Sequence, residues 1–246
     1  MPEQPLAIVL AAGKGTRMAS DLPKVLVPVC GRPMIRYVID AARAAGVARI
    51  LIVIGYRGEF VRAELAGEPG VEFVEQTQQF GTGHAVMMCR EQVAAHAGPV
   101  LILAGDSPMT QAASLRTMLA EFAARGCACL LGTAHKANPE GLGRIVRDQN
   151  GQFQAIVEEK DASPPQRAIT EVNLSTYVFE PAALLAALQR LTANNVQGEY
   201  YLTDAPRVLK ESGHRVDALC VLQPCEALSI NTEEELAAVE AEMRRR

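Results

Sequence analysis

The chain has no run of apolar residues approaching the roughly 18 needed for a helix to cross a bilayer, which excludes a helical membrane span. It has no excess of positive charge: 24 Lys and Arg stand against 28 Asp and Glu, a formal net charge of −4. That excludes holding nucleic acid by bulk electrostatics and leaves room for a local cationic pocket. The amino terminus, MPEQPLAIVLAAG, lacks the basic region and cleavage site of a secretory signal, so a cytoplasmic location is expected. Six cysteines, at 30, 89, 127, 129, 220 and 225, form no CxxC pair, and only four histidines accompany them. A zinc centre is therefore not expected. Reduced core cysteines are, with Cys127 and Cys129 alternating onto one face of a strand. No internal repeat or low-complexity stretch is present. What is present is 246 residues, 49% of them hydrophobic, enough for one substantial core.

The most informative stretch is residues 10–24, LAAGKGTRMASDLPK. It follows a strand-like apolar run from Leu6 to Leu10. Small residues at Ala11, Ala12, Gly13 and Gly15 let a ligand approach the main chain, whose N–H groups lie beside two cations, Arg17 and Lys24. Such a loop suits a polyphosphate. A dinucleotide fingerprint would need a third glycine where Met18 stands, and the Gly-Lys-Ser/Thr order of a Walker loop is missing. The plainer alternative is a glycine-rich turn whose cations meet only solvent.

Strand-like and helix-like segments alternate through the first half of the chain. Strands are expected at LAIVLA, RILIVIG (49–55), VEFVEQ, PVLILAG and CACLLGT. Helices are expected at 34–45, 58–66, 83–95 and 114–125. Buried Val, Ile and Leu runs alternating with helices predict an α/β fold with a mostly parallel sheet covered on both faces. From about residue 140 the texture changes. GRIVRDQNGQFQAIVEEKDA reads as a hairpin turning at Asn150-Gly151, and Pro164-Pro165 as part of a polar loop. TEVNLSTYVFEP and VDALCVL read as strands, 181–191 and the segment after QGEYYLTD as helices. Thr232, with Glu235 three residues on, has the capping-box pattern of a final helix. Its acidic first turn and its arginines at 244–246 suit the helix dipole.

Ligands of an open parallel sheet sit beyond the carboxyl ends of its strands. Asp106 is placed there, as a Mg²⁺ ligand or as a turn aspartate near Pro108. Asn231, just before the last helix, is a second oxygen donor or a cap. In QTQQFGTGHA (76–85), Gln76 can face a base edge and Gly81 and Thr82 form a turn before a helix; the segment is equally readable as a turn alone. His84 is read as structural. Glu158 and Asn173 are candidate partners for sugar hydroxyls, or members of a solvated hairpin. Residues 197–204 either wall that pocket or pack at a helix start.

The order LAAGKGTRM…LPKVL, GTGHA, GD, GLGRI, VEEKDA, EVN, QGEYYLTD and a late Asn231 resembles the sugar-1-phosphate nucleotidyltransferases over nearly the whole chain. Among them it is most similar to the uridyltransferase domain of the bacterial bifunctional N-acetylglucosamine-1-phosphate uridyltransferases/glucosamine-1-phosphate acetyltransferases. The resemblance implies a Rossmann-like three-layer α/β sandwich, with a small added β region over the sugar site. It implies a nucleotidyltransferase domain at 1–231 and a linker-like helix at 232–246. Leu10, Ala11, Ala12 and Gly13 would hold the nucleotide, while Arg17 and Lys24 would bind phosphates and carry catalysis. Gln76 would read uracil with Gly81 and Thr82 packed against it, and Gly105 would also touch substrate. Asp106 and Asn231 would bind Mg²⁺; Gly143, Glu158 and Asn173 would contact the sugar. UTP and N-acetylglucosamine 1-phosphate are the implied partners, with no nucleic acid and no membrane. The alternatives are a transferase for another sugar 1-phosphate or NTP, and a non-catalytic sensor. Two departures stand out: Leu174-Ser175 where the family usually has Thr-Gly, and Leu142 where an aromatic is common. Leu174 is expected to add bulk beside the sugar. No β-helix acetyltransferase domain lies within these residues, and no acetyltransferase activity is expected of them.

Overall fold

The computed structural model describes residues 3–14 and 22–246. In chain order the elements are β1 (Leu6–Ala11), a 3₁₀ turn (Lys24–Leu26), β2 (Pro28–Val29), β3 (Arg32–Pro33), α1 (Met34–Ala44), β4 (Arg49–Ile54) and α2 (Gly58–Glu64). Then come β5 (Val71–Glu75), α3 (Thr82–Met87), α4 (Arg90–Ala94), β6 (Val100–Ala104), α5 (Ala112–Arg125) and β7 (Cys129–His135). The second half holds β8 (Gly143–Arg147), β9 (Phe153–Val157), α6 (Pro164–Arg167), β10 (Glu171–Phe179), α7 (Pro181–Leu188), α8 (Ala205–Glu211), β11 (Val216–Cys220) and α9 (Glu233–Arg245).

The main sheet runs β11-β7-β10-β6-β1-β4-β5, with β8 pairing β10 and β9. Strand β1 lies parallel to both β4 and β6. Parallel pairing with buried residues on both faces explains the unbroken apolar runs. Successive residues of β1 serve opposite cores: Leu6 and Ile8 join helices α3, α4, α7 and α8, whereas Ala7 and Val9 join α1, α2 and α5. These are the three expected layers. The chain leaves β1 for β4 and β5 on one side, then returns to β6 on the other. The sheet therefore reverses its strand order at β1, where a crevice opens beyond the carboxyl ends.

Strand β10 is the exception to parallel order. It runs antiparallel to β7 along its length, and on its other edge it pairs first with β8 and then with β6. Between these partners, its register against β7 shifts at Leu174-Ser175, and Ser175 takes a left-handed φ of 53°. The hairpin β8–β9 is thus a small antiparallel region on the flank of the main sheet. Its turn has Gly151 at φ 75°, while Asp148 Oδ1 accepts the N–H groups of Asn150 and Gln152.

Three expectations need correction. The helix expected at 83–95 is two helices, because at Met88 and Cys89 the hydrogen bonds tighten to the carbonyls three residues back. The polar loop at Pro164-Pro165 is a helical turn, α6, closed by a capping box between Ser163 and Gln166. Cys127 and Cys129 do not share a face. Strand β7 begins only at Cys129, after the left-handed Gly126 that ends α5, so Cys127 joins the α5-side core and Cys129 the opposite one. Burial raises the thiol pKa of both, which fits inert core cysteines.

Among the described residues, no helix is long and apolar enough to cross a membrane. Helix α9 covers a third, smaller cluster, in which Val239 packs with Val27, Val29, Met34, Met109 and Ile230.

Candidate active site

A cleft of about 620 Å³ opens at the strand reversal. Of the residues expected at the site, Leu10, Ala11, Ala12, Gly13, Lys24, Gln76, Gly81, Thr82, Asp106 and Asn231 line it. Arg17 lies outside the described residues. Gly105 does not line the cleft. Its N–H donates to the Leu10 carbonyl at 2.9 Å, and a Cβ there would come within 2.8 Å of that oxygen. Its smallness serves to hold the ends of β1 and β6 together.

Three side chains from distant parts of the chain meet in this cleft. Lys24, in the 3₁₀ turn after Pro23, places Nζ 2.6 Å from Asp106 Oδ2 and donates to Asn231 Oδ1 at 3.1 Å. Asp106 follows the end of β6, and Asn231 precedes α9. The first turn of α9 fixes Asn231: Thr232 Oγ1 accepts the Glu235 N–H at 3.2 Å, and Glu235 Oε2 accepts the Asn231 N–H at 2.6 Å. The expected capping box is therefore offset at one end, since Glu235 reaches back one residue further than usual. The carboxylate and amide oxygens already converge on one cationic group. That donor set fits a hard cation such as Mg²⁺, which would complete its shell with water and substrate phosphates.

On the opposite wall, Gln76 directly follows β5 and is 3% exposed. Its Nε2 donates to the Gly81 carbonyl at 3.1 Å and lies 3.0 Å from His84 Nδ1. His84 thus braces Gln76, and its ring packs edge-on against Phe80 at 5.2 Å. Gly81 has φ 103°, and a Cβ there would sit 2.6 Å from the Tyr200 carbonyl oxygen, so no larger residue fits. Thr82 Oγ1 accepts the Leu202 N–H at 3.0 Å, joining this wall to the QGEYYLTD segment.

Gly143, Glu158 and Asn173 gather in a second cluster beside the cleft. A Cβ on Gly143 would lie 3.6 Å from both Glu158 Oε1 and Asn173 Cβ. Thr203 donates to Glu158 Oε1 at 2.9 Å. Burial raises the Glu158 pKa, against the lowering effect of the Thr203 hydrogen bond and with help from nearby Asp161. Asn173 Nδ2 donates to the Tyr177 hydroxyl at 2.7 Å, and its Oδ1 accepts the Ser175 N–H at 3.3 Å. A half-buried carboxylate beside a buried, oriented amide suits recognition of a polyol.

The expectation that Leu174 crowds this cluster is overturned. Leu174 packs against the core on the α1 and α5 face, opposite the core that holds Ile156 of the hairpin. Alternation along β10 places it on the face opposite Asn173, with Val178. Sequence reasoning also missed cleft-lining residues: Lys14, Gln79, Ser175 and Glu199. Lys14, Gln79 and Glu199 lie inside motifs already singled out. Ser175 carried no signal beyond its departure from the family pattern, because only the fold reveals its left-handed backbone.

The model of the MobA-like NTP transferase domain matches residues 7–214, a span that contains the loop, Asp106, the Gln76 wall and the second cluster, and that ends before Asn231. The chain belongs to this family. As an NTP transferase it is a nucleotidyltransferase enzyme. It is 44% identical over 240 residues to the bifunctional protein GlmU of Pelotomaculum thermopropionicum and to that of Streptococcus gordonii, covering 98% of this chain and 52% of each relative. The GlmU of Geobacter metallireducens is 44% identical over 231 residues, covering 94% of this chain and 48% of the relative. The chain thus spans about half the length of the curated relatives it matches. In fold, this NTP transferase superposes on a UDP-glucose pyrophosphorylase, solved in complex with UDP-glucose, with a TM-score of 0.78. That match is at 18% identity and covers both chains completely.

Proposed function

We propose that this chain transfers a uridylyl group from UTP to a sugar 1-phosphate, N-acetylglucosamine 1-phosphate being the favoured acceptor, and releases pyrophosphate. The observation that carries the reading is the convergence of Lys24, Asp106 and Asn231 at the strand reversal. There a cation and two oxygen donors share the cleft with the main chain of Leu10 to Lys14. The 44% identity to GlmU proteins supports uridylyl transfer and this acceptor. The same reading takes residues 1–231 as the nucleotidyltransferase domain and α9 as a helix appended to it.

The acceptor is already an anion, so no general base is needed. One phosphate oxygen forms the new bond to the α-phosphorus of UTP as the bond to the β-phosphate bridging oxygen breaks. Lys24, with Arg17 on the same loop, offsets repulsion between the two anions and the charge that collects on the leaving pyrophosphate. The main chain at Ala11–Gly13 and the wall at Gln76–Thr82 hold the nucleotide in line, so positioning does much of the work. Asp106 and Asn231 would hold Mg²⁺, which supplies further neutralisation of phosphate charge. Glu158 and Asn173 would orient the sugar.

The test is pyrophosphate release from a panel of NTPs and sugar 1-phosphates, with and without Mg²⁺. The expected result is release from UTP with N-acetylglucosamine 1-phosphate, dependent on the metal. Release only with another pair would reassign the substrates, and release from no pair would defeat the proposal.

A further inference from the structure

We infer that Ser175 is a sugar-contacting residue that sets the enzyme's preference among sugar 1-phosphates; this rests on the uridylyl-transfer reading above. The nucleotide cleft and the cluster of Glu158 and Asn173 do not share their lining, and Ser175 connects them. It lines the cleft, and its N–H donates to Asn173 Oδ1, whose Nδ2 donates in turn to the Tyr177 hydroxyl. A sugar attached to a nucleotide in the cleft and held by Glu158 must pass Ser175.

Its position is a consequence of topology. Strand β10 changes partner from β8 to β6 across this point, and the edge left between them opens toward the ligand. The backbone there is left-handed, φ 53°, a conformation that favours glycine. Glycine is also what the family pattern places here. Serine accepts the strain and in return puts a hydroxyl at the junction, able to donate to and accept from a sugar hydroxyl or acetamido group.

Two variants separate the hydroxyl from the backbone. Ser175→Ala removes the hydroxyl and keeps the strain; Ser175→Gly removes both. Calorimetry would compare UDP-N-acetylglucosamine with UDP in each protein, alongside the KM for the sugar 1-phosphate and for UTP. A neutral hydrogen bond predicts that both variants lose about 3- to 10-fold in UDP-sugar affinity, while UDP affinity and the KM for UTP hold. Sugar discrimination should narrow in both. Wild-type affinity in both variants would overturn the assignment and leave the uridylyl-transfer reading standing. So would a loss confined to Ser175→Gly, which would trace the effect to the backbone. Wild-type protein that binds UDP-N-acetylglucosamine no more tightly than UDP, and turns over no sugar 1-phosphate, would defeat that reading and this one with it.

Discussion

At the scale of single residues, charge placement decides what the cleft can do. Lys24 is held by Asp106 and Asn231, and its side chain is 17% exposed, so its ammonium is pre-positioned. Lys24→Met should fold normally and lower kcat by roughly 100-fold or more, the range for losing one oriented electrostatic contact to a transition state. A rate within a few-fold of wild type, read by pyrophosphate release, would remove Lys24 from the chemistry. Glu158 carries a different signature. Its raised pKa means that the folded state binds its proton more tightly than the unfolded chain. Stability therefore falls as pH rises from the ordinary carboxylate range through the raised value, and at neutral pH the charged group costs stability. A desolvated carboxylate beside a ligand cleft is a candidate for function. Glu158→Gln keeps an acceptor for Thr203, so it should melt at or above the wild-type temperature and flatten the loss of stability across that window. It should also raise the KM for the sugar 1-phosphate about 10-fold, the cost of a hydrogen bond to a charged group. A lower melting temperature with unchanged KM would contradict both halves.

At the scale of elements, the flanking hairpin is tied down by one polar network. Arg147 of β8 bonds Glu171 of β10 through two nitrogens, at 2.7 and 2.6 Å, and also donates to the Ala218 carbonyl of β11 at 3.0 Å. Thr133 of β7 donates to the same carboxylate at 2.6 Å. Burial alone would raise the Glu171 pKa, but the Arg147 and Thr133 hydrogen bonds outweigh it and hold the pKa below the ordinary value. Its contribution is therefore present above the ordinary carboxylate range and is lost as pH falls through the lowered value. Arg147→Met should destabilise by about 1–3 kcal/mol at neutral pH, discounted for partial exposure of the arginine. The difference from wild type should shrink in acid, as denaturant titrations at two pH values would show. A pH-independent difference would assign the loss to packing instead. Helix α9 offers a second element-level test. Glu235→Ala frees the Asn231 N–H and removes a cap partner worth about 1 kcal/mol. The Mg²⁺ concentration for half-maximal activity should rise several-fold, and an unchanged metal titration would separate α9 from the site.

At the scale of the whole molecule, the parallel core was legible from the chain because its central strands are buried on both faces. β1, β4, β6 and β7 appear as runs of Val, Ile, Leu and Ala. Their helices announce themselves by spacing. The loop and Asp106 were legible for a related reason: a sheet of this class delivers ligand groups at its strand ends; Asn231, which precedes a helix, was legible only through the family resemblance. What could not be read is non-local. Nothing in VNLST shows that β10 exchanges neighbours halfway along, so the left-handed Ser175 was not visible. The offset of the α9 cap was hidden in the same way, since Glu235 could reach either Thr232 or Asn231 and only the approach of the chain decides.

The alternation along β1 has a consequence for the loop that follows it. Ala7 and Val9 belong to one core and Leu6 and Ile8 to the other, so the strand has one acceptable address. A shift of one residue, about 3.3 Å, would exchange every side chain between unlike environments. The main-chain groups from Ala11 to Gly13 inherit that address. The accuracy with which phosphate is gripped is therefore set two turns of pleat below the ligand, by side chains that never meet it. Val9→Ala, which opens a void under the strand end, should cost stability by about 1–3 kcal/mol. It should also lower kcat disproportionately to any change in substrate affinity, because misplacing reactants by even 1 Å can cost about 100-fold. Unaltered turnover at saturating substrate would show that the loop keeps its own geometry. If turnover falls as expected, the hydrocarbon interior of this enzyme is part of its measuring instrument.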